Sequence, residues 1–209
     1  LLLSKIYLSI SEFQKAEIIL INLKSVFKSE KIIFLSLSNL YFQIRDLEKG
    51  ILILKEGLNL YPSFLPFKFN LAVMYRNLGD IKLAIETHLE IIKIDNSYLD
   101  SYYELSSLYD FRSHEKELEL FLNNDFDKFG PIHKIKAAFS KSNIFHNLED
   151  YSQSSKYLKI ANEEKLKLYP SDLVLKKNTG EFYKGLCLDT TKRDFQENDE
   201  AEILFIVGM

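Results

Sequence analysis

The stretch Leu71-Ala72-Val73-Met74-Tyr75-Arg76-Asn77-Leu78-Gly79-Asp80-Ile81-Lys82-Leu83-Ala84 decides the fold. Leu71, Ala72 and Tyr75 stand at i, i+1 and i+4, which groups them on one side of a first helix. Leu78-Gly79-Asp80 then reads as a turn, with the glycine free to take a left-handed C-cap and the aspartate placed to cap the next helix. Ala84, with His88 four residues later, marks the facing stripe of that second helix. Small side chains on both stripes let the two backbones approach, while Leu71 and Tyr75 fill the space beside the contact.

Working outward, the same pattern recurs every 34 residues. Tyr7, Tyr41, Tyr75 and Tyr109 keep that interval, and so do Leu3, Leu37, Leu71 and Leu105. Ser4, Ser38, Ala72 and Ser106 follow the leucines. In the second stripe Ala16, Gly50 and Ala84 repeat, with Leu20, Leu54 and His88 beyond them. The fourth copy departs: Leu118 stands where a small residue is expected, which loosens the packing of its second helix. A fifth hairpin follows the loop Phe129-Gly130-Pro131, with Ala137, Ala138, Phe139 and Phe145 on one helix. A turn at Asn147–Tyr151 leads to Leu158 and Ala161 on the other. Its phase is shifted by roughly two residues, as an insertion in the loop produces.

Composition agrees. Of 209 residues, 46% are hydrophobic, and only 7 Gly and 4 Pro are present, too few for a turn-rich β fold. The formal net charge of −3, with lysines interleaved among acids, argues against a nucleic-acid binder. The lone cysteine, Cys187, excludes an internal disulfide framework and fits a reducing, cytoplasmic setting. No apolar run reaches the roughly 18 residues of a membrane span. The histidines lack metal-ligand spacing, with His88 at a packing position, and neither a nucleophile elbow nor a complete phosphate loop is present. No catalytic residue and no metal ligand is assigned.

The Leu, small-residue, Tyr and Ala pattern with the late Tyr61-Pro62 resembles the tetratricopeptide (TPR) repeat. The resemblance covers residues 1–168, in copies of about 1–30, 31–64, 65–98, 99–130 and 135–168. It implies an all-α fold, a right-handed superhelical solenoid of helix-turn-helix repeats whose inner wall is lined by the first helix of each pair. On that wall it places Asn39, Gln43, Phe69, Arg76, Asn77, Tyr103 and Asp110. Amides and a guanidinium there suit a peptide backbone or carboxylate, and the rings suit apolar side chains, so the implied partner is a peptide or protein.

After Tyr169-Pro170 the pattern changes. Residues 169–202 read as a terminal helix beginning at Ser171-Asp172 and an acidic linker over 189–202. The run Ile203-Leu204-Phe205-Ile206-Val207-Gly208-Met209 reads as a short strand with glycine at its end, the way a nucleotide-phosphate site begins. A TPR array, an acidic linker and this run together resemble bacterial sulfotransferases with N-terminal TPR repeats. There the strand continues into a Pro-Arg-Ser-Gly-Thr-Thr loop that cradles phosphoadenosine phosphosulfate (PAPS). The chain starts Leu1-Leu2-Leu3 without methionine, and both ends read as cut. The resemblance therefore implies a PAPS-dependent parent truncated at the start of its cofactor loop, with only Gly208 and Met209 of that loop present and no cofactor held by residues 1–209 alone. A stand-alone TPR adaptor and the arm of a glycosyltransferase remain open alternatives.

Overall fold

The computed structural model describes residues 2–169, which contain ten α-helices and no strand. The second unit of the chain, Tyr169–Met209, lies outside the described residues except for Tyr169. So do the features expected there: the terminal helix, Cys187, the acidic linker, the strand-like tail and the loop residues Gly208 and Met209.

The helices are α1 (Leu2–Ser9), α2 (Phe13–Val26), α3 (Lys31–Gln43), α4 (Leu47–Leu60), α5 (Leu65–Leu78), α6 (Ile81–Ile94), α7 (Leu99–Leu108), α8 (Glu115–Asn123), α9 (Pro131–Asn147) and α10 (Tyr151–Leu168). They pair as hairpins α1–α2, α3–α4, α5–α6 and α9–α10, and successive hairpins stack through α2–α3, α4–α5 and α6–α7. Most of these helices, at 8 to 14 residues, are too short to be stable alone in water, so the structure depends on burying one face of each against its neighbours.

The turns inside the hairpins share one device. Ser11, Arg45 and Gly79 all have positive φ, at 60°, 63° and 89°, and they are spaced by the repeat length. Glu149 does the same in the last hairpin at 64°. The left-handed residue lets the next amide turn back: Asp80 N donates to Tyr75 O at 2.9 Å, Glu12 N to Tyr7 O at 2.8 Å, and Asp150 N to Phe145 O at 2.9 Å. Glycine takes this conformation freely, whereas the other three hold it against a cost of about 1 kcal/mol each. Asp80 sits at the N-cap of α6, but its side chain makes no capping bond; Asp46 does cap α4, accepting from Lys49 N at 3.3 Å.

The motif positions form the core. Ala16, Leu20, Ile33, Leu37, Leu40 and Tyr41 bury together between the first two hairpins. Phe34, Leu54, Phe67, Leu71 and Met74 do so between the next two. Each buried leucine or phenylalanine contributes about 1.5–3 kcal/mol relative to exposure. Gly57 is essential to this contact, because a Cβ there would lie 2.7 Å from the Phe67 ring. The phenol of Tyr41 donates to Glu17 Oε1 at 2.8 Å, and burial first, then that carboxylate, pushes its pKa up to about 12.

The fourth repeat breaks the pattern at two places. Helix α7 stops at Leu108, and Tyr109 is extended at φ −113°, ψ 133°. Asp110 therefore lies beyond the first helix, not on its inner face as expected. Its carboxylate accepts from Arg112 N at 3.0 Å and caps a 3-10 turn at Phe111–Ser113, a local bond that competes with continuing the helix. Tyr109 is still buried, edge-on to Phe111 with ring centroids 5.0 Å apart. The second departure is α8, only 9 residues long, in which Leu118 replaces the small residue of the earlier copies. Its backbone does not nest on α7; it leans there through Phe121, stacked on Tyr102 at 4.7 Å. The close backbone neighbour of α7 is α9 instead.

Candidate functional site: the groove between α3 and α5

The first helices α3 and α5 lie side by side and leave a groove of about 570 Å³ between them, lined also by Tyr98. Its apolar wall is Leu35, Phe42, Pro66, Phe69, Val73 and Met74. Repetition builds it: Leu35, Phe69 and Tyr103 occupy one 34-residue column, and Asn39 and Val73 another. Phe69 is held by ring contacts to His88 at 5.6 Å and Tyr98 at 5.9 Å, so it presents a fixed face.

Its polar groups fall into two kinds. Ser36 and Ser38 return their hydroxyls to their own helix, on Ile32 O at 2.7 Å and Leu35 O at 2.9 Å. Asn39 and Asn70 also line the groove, and among the described residues neither amide is engaged by another side chain or by the backbone. The Tyr98 phenol is pushed up to about 12, chiefly by burial and then by Asp100 and Asp95, so it stays a neutral hydrogen-bonding group.

Of the residues expected on the wall, the structure brings Asn39 and Phe69 into this groove. Gln43 is exposed at the last position of α3. Arg76 is engaged in an ion pair with Glu104 of the next repeat, and Asn77 accepts from Arg45 at 3.3 Å while donating to Val73 O at 2.8 Å. Tyr103 is 37% exposed and lies under the Lys136 ammonium, 5.3 Å from its ring centroid. Asp110 is held by Arg112, whose guanidinium Nε is 2.9 Å from its carboxylate and keeps the carboxyl below the usual range. Sequence reasoning missed Leu35, Phe42 and Asn70. Leu35 was recoverable as the residue 34 before Phe69; Asn70 carried no signal of its own.

Residues 65–98 match the family model described as a tetratricopeptide repeat. The described helices form a tetratricopeptide solenoid. This TPR array is similar to the solved structure of MamA, at 20% identity over 80% of this chain and 97% of that one, with a TM-score of 0.61. It is similar to BtubC from P. vanneervenii, at 13% identity over 93% of this chain and 83% of that one, TM-score 0.61. It is also similar to YrrB, described as a TPR protein with an unusual peptide-binding site, at 13% identity over 85% and 88% of the two chains, TM-score 0.54. At such identities the likeness concerns fold. No curated protein matches the chain. Among the described residues no helix is long and apolar enough to cross a membrane, and no group of three or more His, Cys, Asp or Glu is placed to hold a metal ion.

Proposed function

We propose that the TPR array is a protein-interaction module that holds a peptide segment of a protein partner in the groove between α3 and α5, as an adaptor inside the cell. The observation that carries this reading is the coincidence, in one groove, of a fixed apolar wall with two unengaged amides. Half-exposed rings supply the contact area, and the amides can bond a backbone in either direction. The YrrB structure, described as a TPR protein with an unusual peptide-binding site, supports such a role.

The test is a random-peptide display panned against residues 1–209, run beside a Phe69→Asp variant. Enrichment of sequences on the parent that is lost on the variant supports the groove. Equal enrichment on both, or none on either, refutes it. The finer resemblance, an arm recruiting substrate to a PAPS-dependent sulfotransferase, rests on the sequence of TPR array, acidic linker and the run Ile203–Met209, and no comparison adds support for that parent or for a glycosyltransferase. The adaptor reading requires neither.

A further inference from the structure

The chemistry of the groove says what kind of peptide it takes. No side chain lining it is charged. Both cations of α5 already pair with protein carboxylates. Arg76 pairs with Glu104, which is only 16% exposed and would be left half-buried without its partner if Arg76 turned to a ligand. Lys68 pairs with Glu90, and Arg45, over the Phe42 ring, is bonded among the described residues only to the neutral amide of Asn77. A carboxylate entering the groove would exchange water for apolar walls and neutral amides, and a desolvated anion without a cation is costly. Taking Arg76 from its present partner moves the penalty to the half-buried Glu104.

The groups with bonding capacity to spare are Asn39, Asn70 and the Tyr98 phenol, all neutral. Each amide offers a donor and an acceptor, the complement of a peptide group. Around them Leu35, Phe42, Phe69, Val73 and Met74 offer aromatic and branched apolar contact.

We infer that the α3–α5 groove is selective for an uncharged apolar segment from within its partner's sequence, and that it discriminates against acidic segments and free C-terminal carboxylates. Asn39 and Asn70 bond the main chain of the bound segment, while the apolar wall receives its side chains. This rests on the peptide-groove reading above and adds the ligand class to it.

The probes are three synthetic pentapeptides. One is serine, leucine, phenylalanine, leucine, serine, with both ends blocked. The second is the same with aspartate for both leucines. The third is the first with a free C-terminal carboxylate. Each is titrated into residues 1–209 labelled with nitrogen-15, following the side-chain amide signals of Asn39 and Asn70. The blocked neutral peptide is expected to move both signals saturably and to bind at least about tenfold more tightly than either charged one, since an unpaired charge costs more than one such factor. Equal or tighter binding of a charged peptide at these amides overturns the inference and leaves the peptide groove standing. If none of the three moves them, both readings fall. Val73→Asp should abolish binding of the neutral peptide; should it also lower the melting temperature, Asn39→Ala, at an exposed position, gives the same comparison in a folded chain. Unchanged affinity in Asn39→Ala removes the amide from the site.

Discussion

Two glycines of helix α4 offer a controlled test of how the hairpins nest. Replacing either with alanine gains the same helix propensity, about 1 kcal/mol. What differs is the neighbour met by the new Cβ. At position 57 it would lie 2.7 Å from Phe67 Cε2 and 3.1 Å from two further ring atoms. That ring is fully buried and boxed by Phe64 at 4.7 Å, Phe34 at 6.0 Å and Tyr61 at 6.4 Å, so it has nowhere to rotate. At position 50 the Cβ would meet the Cε and Sδ of Met74 at 2.5 and 2.6 Å. Met74, though buried, is unbranched with three soft torsions, so its thioether end can repack at a lower cost than a ring. Overpacking a rigid neighbour costs about 1–3 kcal/mol, which outweighs the propensity gain at 57 and leaves a net loss near 1 kcal/mol. At 50 the yielding methionine leaves the gain nearly intact. Thermal denaturation followed by circular dichroism should show Gly57→Ala melting about 2–4 °C below the parent, and Gly50→Ala at or above it. Gly57→Ala melting as high as Gly50→Ala would refute the close α4–α5 contact.

The remaining predictions concern the same framework. Ala84→Phe places a ring where no space exists, at a fully buried position of α6, and should cost about 1–3 kcal/mol in a denaturant melt. Ser11→Gly relieves a left-handed backbone at an exposed turn and should stabilise by about 0.5–1 kcal/mol; an unchanged midpoint would deny the strain. His88 is held at about 4 instead of 6.5, chiefly by burial and secondly by Arg76. The unfolded chain binds that proton near 6.5 and the folded chain only near 4, so stability is full above about 6.5 and declines as the pH falls toward 4, by at most about 3 kcal/mol. His88→Leu, which installs the residue found at Leu20 and Leu54, should flatten the melting temperature across that window, and an unchanged slope would assign the acid sensitivity elsewhere.

The sequence made the hairpins legible wherever packing obeys the repeat. Tyr41, Leu71, Ala72 and Ala84 are where the period places them, because each position meets the same partner in the next copy. The turns were half legible. Gly79 announced its left-handed backbone, whereas Ser11 and Arg45 adopt it through the repeat's geometry and against their own preference. Leu118 correctly signalled trouble in the fourth copy, but not that α9 would take the place of α8 beside α7. That choice depends on Tyr102, Phe121 and Phe126 packing together, a contact between residues with no shared period. The groove was legible as a surface and not as chemistry: ties such as Arg76 with Glu104 and Arg45 with Asn77 join residues 28 and 32 apart, and only the fold shows which cations they occupy.

The ten residues of α7 touch α6 on one side and α9 on the other, while α8, between two short 3-10 turns, reaches α7 through the Phe121 side chain. Cooperativity in a linear array passes from neighbour to neighbour. The backbone link between the front hairpins and α9–α10 therefore runs through this single short helix, with Phe121 of the segment after it packed on its Tyr102. Fraying of 115–123 would weaken that link by uncovering Tyr102, whereas loss of α7 would split the protein into two separately melting blocks.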